Sequence, residues 1–335
     1  MHEAHLYDCR EDGFVKCNLC SHRCLIGENK TGICGVRENN GCKLFSKNYG
    51  MVSAEAVDPV EKKPLFHYLP GTDVYSLGGV GCNFRCLHCQ NWQISQTTSF
   101  DYLQEISPEK GVLKAIANNC KSIAWTYNEP TIWHEYALDM GRMAKKNNLG
   151  TIYVTNGYMT EEALRELSVM LDAFRVDIKA FSEKFYHKVC RAKLQPVLDA
   201  TIIAKELGMH IETVNLVIPG LNDSEDEVKS LIAWVLENLG ENTPMHFTRF
   251  HPDYKMTDVA STPVLTLERI YETARDMGIK YPYLGNVMDH KYCNTYCHEC
   301  GSLLIQRSGY NQRNVDLKGS YCQKCGEKIP IVIHP

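Results

Sequence analysis

The chain is poor in everything that would carry a protein into a membrane or onto a polyanion. No apolar run approaches the ~18 residues needed to cross a bilayer. The stretch from Met1 to Asp8 has no signal-peptide pattern. Charge of a single sign is missing too: 36 Lys+Arg stand against 40 Asp+Glu, for a net of −4. That balance argues against broad nucleic-acid binding and leaves room only for a small basic docking patch. Low-complexity segments, long linkers and internal repeats of useful length are absent as well. Cysteine, in contrast, is plentiful, at 16 in 335 residues. Without an export signal, that number points to metal binding in a reducing cytoplasm, and away from disulfides. The expected location is therefore cytoplasmic.

The cysteines fall in three sets. Cys82, Cys86 and Cys89 stand at Cys-x3-Cys-x2-Cys spacing, just after an apolar run and a glycine-rich turn ending at Gly81. Three thiolates fit three corners of an iron–sulfur cube that normally takes four, so one iron keeps an open position able to hold a small molecule. Zinc knuckles, the competing reading, bring cysteines as Cys-x2-Cys pairs.

Cys17, Cys20, Cys24 and Cys34 form an N-terminal set in a glycine-containing loop, read as structural zinc or a second iron–sulfur cluster, with His22, Cys9 and Cys42 near enough to substitute. Cys297, Cys300, Cys322 and Cys325 form two Cys-x2-Cys-Gly knuckles, the pattern of a zinc ribbon or of a single-iron site, and Cys293 lies just upstream as a fifth thiol. A tail this short has little core of its own, so the metal supplies much of its folding free energy.

Between these sets, β-rich runs alternate with amphipathic helical patterns. The spacing predicts strands at 74–80, 122–127, 150–155, 173–178, 210–218 and 244–249, and a short run at 281–284. It predicts helices near 108–119, 131–147, 160–171, 196–207, 224–239 and 266–278, with Pro108, Thr160 and Ser224 at their starts. Such alternation implies a parallel sheet with right-handed crossovers, open or curled into part of a barrel. The expected organisation is a cysteine-rich lobe over 1–70, a partial (β/α)6 barrel of the TIM type over 71–287, and a metal-bound ribbon over 288–335.

Polar residues then gather at the strand ends. Asn128 and Glu129 follow the second strand, and Asn156 follows the third. Asp177 and Lys179 bracket the end of the fourth. Asn215 lies in the fifth, and His251 comes after the sixth. In barrels of βα units, the C-terminal strand ends are where active sites form. Turn chemistry accounts for the Gly, Pro and Asn residues here, but poorly for Glu129, Lys179 and His251. The tryptophans and tyrosine at Trp125, Tyr127 and Trp133 read as core, and the basic stretch from Lys179 to Lys193 as a solvated face.

In Glu61–Leu65, Cys82–Asn91, Tyr127–Pro130, Thr155–Gly157, Asp177–Lys179, Pro219–Asp223 and Arg249–Pro252, taken in that order, the chain resembles the radical S-adenosylmethionine (SAM) superfamily. Within it, the chain is similar to the pyruvate formate-lyase activating-enzyme branch, and most of all to the AmmeMemoRadiSam-system enzymes. The resemblance implies a 4Fe–4S cluster on Cys82, Cys86 and Cys89, with SAM chelating the open iron. It places His88 against the adenine, Glu129 beside the SAM amino group and Lys179 beside its carboxylate. Asn128, Thr155, Asn156, Asp177, Asn215 and His251 fall at or near positions lining the SAM or cation site. Val154 departs from the family, which often has Asp there, and Val214 stands where an Arg is common.

The implied reaction is reductive cleavage of SAM to a 5′-deoxyadenosyl radical that abstracts hydrogen. The substrate is a protein, through glycyl-radical activation or side-chain modification, or alternatively a small molecule, lipid or RNA. An electron carrier or metal scaffold is the non-enzymatic alternative. No ferredoxin-like insertion is present, so electrons are expected from a separate ferredoxin- or flavodoxin-type donor.

Overall fold

The computed structural model describes residues 2–97, 99–287 and 291–335; the expected start of the C-terminal segment, 288–290, lies outside the described residues. Its centre is one eight-stranded sheet. The strands are β1 (Ala54–Pro59), β2 (Asp73–Gly78), β3 (Ser122–Trp125), β4 (Gly150–Thr155), β5 (Ala173–Asp177), β6 (His210–Val217), β7 (Met245–Arg249) and β8 (Pro282–Gly285). They lie in sequence order, parallel from β2 to β8, with β1 antiparallel on the edge. β1 and β8 do not pair, so the sheet is an open, partial barrel. The short run expected at 281–284 is its seventh parallel strand. β1 escaped the sequence reading because its alternation of half-buried and exposed residues is that of an edge strand, with no continuous apolar run.

Six helices cross over between the parallel strands: α1 (Pro108–Ala117), α2 (His134–Lys146), α3 (Glu161–Leu167), α4 (Gln195–Glu206), α5 (Glu225–Asn238) and α6 (Val264–Met277). Their starts are chemically marked. Ser107, Thr160 and Ser224 each accept a hydrogen bond from the backbone N–H three residues on, and Pro108 occupies the first turn behind Ser107. α2 begins later than its periodicity suggested, because Pro130–Trp133 forms a tighter 3-10 turn ahead of it. Trp125 and Trp133 are buried core residues, as expected.

The N-terminal lobe is built of two small antiparallel sheets. In it Cys9 and Cys42 form a disulfide, with their Cα atoms 5.4 Å apart. This corrects the expectation of reduced thiols throughout and removes both residues as substitute ligands. The pairing follows from tertiary placement: the tight turn at Gly41–Cys42, with Cys42 at φ +59°, lies against the end of the strand Tyr7–Cys9.

The C-terminal ribbon, β9 (Thr295–Tyr296), β10 (Leu303–Ser308) and β11 (Asn311–Asn314), is an antiparallel sheet packed on the β8 edge. Leu304, Ile305, Ile329 and Ile331 share a core with Phe66, Tyr281 and Tyr283. Buried Arg307 lies 3.9 Å over the Phe66 ring and donates to the Phe66 carbonyl. Among the described residues, no helix is long and apolar enough to cross a membrane.

Candidate active site

The glycine-rich turn after β2 brings the Cys82–Cys89 loop to the C-terminal ends of the strands. Gly81 has φ +82°, and a Cβ there would stand 2.6 Å from the Cys34 carbonyl. No other residue fits. The Asn128 side chain holds the turn from the β3 side, accepting from Gly79 N at 2.9 Å and donating to the Gly81 carbonyl at 3.0 Å. Asn128 is thereby a clamp on the cysteine loop as well as a cavity residue.

Cys82, Cys86 and Cys89 line one cavity of about 940 Å³, toward the upper end of the range for small-molecule sites. The Phe84 N–H points at the Cys82 sulfur, 3.3 Å away. A fourth thiol, Cys190, is fully buried beside Cys86, but is not part of the cavity wall.

The opposite walls carry charge. Glu129 is buried, and its Oε1 accepts from Thr131 N, Thr131 Oγ1 and Thr155 Oγ1, while Oε2 accepts from Asn156 N at 2.8 Å. Burial pushes its carboxyl pKa up despite these donors. Arg175, Asp177 and Lys179 share a face of β5 and its extension, because alternate strand residues point the same way. Asp177 takes Arg175 on one oxygen and Lys179 at 3.0 Å on the other, and all three line the cavity. Burial, with Lys179 nearby, lowers the His88 imidazole to about 3, so the ring is neutral, and its Nδ1 has no partner in the protein.

Three charged or titratable cavity groups escaped the sequence reading, Arg175, His246 and Lys63. His246 donates from Nε2 to the Glu212 carboxylate at 2.7 Å, which leaves its buried Nδ1 unpartnered. Lys63 is buried against Asp58 at 2.6 Å, and Asp58 also accepts from the Tyr127 hydroxyl at 2.6 Å. For Arg175 and His246 the signal is the parity of β5–β7, where positions 175, 177, 214, 216, 246 and 248 all face inward. Val154 and Val214, the two family departures, are also on the wall.

Two expected site residues lie elsewhere. Asn215 points to the face opposite its neighbours Val214 and Leu216, and donates to the Ile178 carbonyl at 2.9 Å. It braces the loop after β5. His251 is exposed, with its ring 3.3 Å from the Gln90 amide, so it stands at the rim and not on the wall.

The ring of His22 bonds to the Asn83 carbonyl at 2.7 Å. The four C-terminal thiols, Cys297, Cys300, Cys322 and Cys325, lie within 4.8 Å of one another, a spacing that suits one metal ion.

The central residues fit a cluster with a chelating ligand. Three thiols share a wall with unpartnered buried polar atoms of His88, Arg175 and His246, and these atoms await a polar guest.

Comparison with known proteins agrees. The model of the radical SAM superfamily matches residues 77–233, which include the cysteine loop and the strands up to β6. An uncharacterized protein of Methanocaldococcus jannaschii is 46% identical over 99% of this chain and 100% of its own length. A second protein of that organism, named for glycyl-radical enzyme activation, is 23% identical over 50% of this chain and 64% of its own. The crystal structure of SuiB from Streptococcus suis shares the fold with a TM-score of 0.50, at 12% identity over 64% of this chain and 48% of that one. The chain belongs to the radical SAM superfamily and is an enzyme of the class that holds a 4Fe–4S cluster and SAM.

Proposed function

We propose that Cys82, Cys86 and Cys89 hold the 4Fe–4S cluster, and that the enzyme abstracts hydrogen from a substrate admitted to the same cavity. The observation that carries this reading is the convergence of the three thiols, Glu129, Arg175 and Lys179 on one cavity. Held by Cys82, Cys86 and Cys89, the cluster would supply the one-electron reduction that splits the SAM sulfonium into a hydrogen-abstracting carbon radical and methionine.

The chain's own groups place and shield. Glu129 Oε2, with a single protein donor, is the oxygen left to accept from the SAM amino group. Lys179 keeps protons beyond the one given to Asp177, and these suit the SAM carboxylate. The flat, neutral His88 ring suits the adenine face. Phe84, Pro64 and Leu216 supply apolar wall, which keeps water from a reactive site.

The likeness to a protein named for glycyl-radical enzyme activation supports a protein substrate. A small polar substrate is the second reading, favoured by the charged part of the wall at Lys63, Arg175 and His246. Electrons would come from an external ferredoxin- or flavodoxin-type donor.

The test is anaerobic reconstitution with iron and sulfide, reduction, and an assay for 5′-deoxyadenosine. SAM left intact by cluster-loaded, reduced protein would sink the reading. Deuterium transfer from labelled candidates into 5′-deoxyadenosine then separates protein from small-molecule substrates.

A further inference from the structure

One short segment lies over the Cys82–Cys89 loop on the side away from the cavity. After the turn Glu183–Phe185, residues Tyr186–Cys190 wind into a single π-helical turn that ends on Arg191 at φ +59°. Two backbone bonds fasten it to the cysteine loop on either side of Cys86. Arg85 N donates to the Cys190 carbonyl at 2.9 Å, and Leu87 N to the Val189 carbonyl at 3.0 Å. The Leu87 carbonyl in turn accepts from Lys255 N at 3.0 Å. Val189 and Cys190 are buried against the loop, whereas Lys184, His187, Lys188, Arg191, Lys193 and Lys255 are exposed.

These cations hold nothing else in place. Among the described residues, Lys184, Lys188, Arg191, Lys193 and Lys255 form no ion pair. The one acid of the segment, Glu183, turns its carboxylate to the N–H groups of Leu194 and Gln195, at 3.1 and 3.2 Å. An exposed aromatic pair adjoins them. Trp92, three residues after Cys89, is 38% exposed and stacks on Tyr254 at 5.3 Å, and the Lys255 ammonium lies 5.1 Å over the Tyr254 ring. None of these basic or aromatic residues lines the cavity. That placement separates two jobs. A surface that recognised the substrate would continue into the cavity wall. A surface that delivers an electron needs only to lie close to the cluster, and Cys86 sits directly beneath this one.

We propose that this face, centred on Lys184, Lys188, Arg191 and Lys193 with Trp92 and Tyr254 at its edge, docks an acidic one-electron carrier protein of the flavin or iron–sulfur kind. The proposal rests on the cluster assignment made above. The reduced carrier loses one electron and the cluster on Cys82, Cys86 and Cys89 gains it, with no proton or group transferred. Opposite charge steers such an encounter and is screened by salt, and exposed aromatic residues are the anchors that interfaces bury. The basic stretch reads as a solvated face in the sequence because only folding lays it over the cysteine loop.

The experiment compares two reductants in cluster-loaded, full-length protein: dithionite, which needs no docking surface, and a photoreduced acidic flavodoxin. The variant combines Lys184→Glu, Lys188→Glu and Lys193→Glu, all exposed and outside the cavity wall. Flavodoxin-driven 5′-deoxyadenosine formation and equilibrium binding of flavodoxin are both expected to fall about tenfold or more, while the dithionite-driven rate stays within about twofold. Wild-type binding is also expected to weaken between about 0.05 and 0.3 M salt as the Debye length shortens. Flavodoxin binding and turnover that ignore the three reversals overturn the proposal. So does an equal loss with both reductants, which assigns the patch to SAM or substrate. A variant that still binds flavodoxin but no longer retains single-stranded RNA marks the face as a nucleic-acid surface, and overturns it too. Should the triple variant fail to fold, Lys188→Gln and the salt dependence of wild-type binding decide, and binding insensitive to both sinks the idea. If neither reductant yields 5′-deoxyadenosine, the reaction proposed above fails, and the binding measurement still decides the docking face.

Discussion

Cys86 is 7% exposed and lies between the cavity and the Cys190 thiol. Cys86→Ala is expected to abolish 5′-deoxyadenosine formation while the ribbon still binds its metal, as checked by product assay beside metal analysis. Lys63 offers a pH test. Burial lowers its pKa to about 8 in the folded chain, against a reference of 10.5. Below pH 8 both states hold the proton and the penalty is full. Between 8 and 10.5 only the unfolded chain holds it, so this group makes stability rise with pH, by at most about 3 kcal/mol. Anaerobic denaturation at pH 7.5 and 10 is expected to show a gain in the wild type that Lys63→Met lacks. That Cys82, Glu129, Asp177 and Lys179 line one cavity was legible in the sequence, because such groups are costly to bury without a partner. Arg175 and His246 were not, because a charged residue inside a strand announces itself only when the sheet curls and its neighbours' parity is known.

At the scale of the element, Thr160 ties two parts of the molecule together. Its hydroxyl accepts from Ala163 N at the start of α3 and donates to the Asn18 carbonyl of the N-terminal lobe at 2.8 Å. Thr160→Ala is expected to cost about 1–2 kcal/mol, measured by denaturant unfolding, with Thr160→Ser restoring most of it. Helix starts were readable to within a few residues because capping is a local matter of one side chain and one N–H. The antiparallel β1 and the α2 boundary were not, since an edge strand and a 3-10 turn are selected by what they pack against. Asn215 shows the same limit: a one-residue change of parity turned an expected ligand contact into a brace.

For the whole molecule, the ribbon is the dependent part. Its four thiols converge on a single-ion site, and its apolar residues reach the β8 edge through Phe66, Tyr281 and Tyr283. Metal binding of this kind contributes on the order of 10 kcal/mol to folding. Chelation is therefore expected to raise hydrogen exchange over 295–335 and along Pro282–Gly285, while the protection of β3–β5 is kept. Unchanged exchange after verified metal loss would show that packing alone holds the ribbon.

The order of the parallel strands and their helices, and the grouping of the cysteines into three sets, were determined by the sequence alone. Each depends on spacing along the chain or on local backbone chemistry. Only the tertiary structure decided the Cys9–Cys42 bond, the pairing of Glu212 with His246 and the rim position of His251. These are distances between residues far apart in the chain. Such distances are fixed by how a curled sheet and its lobes pack, and no local pattern encodes them.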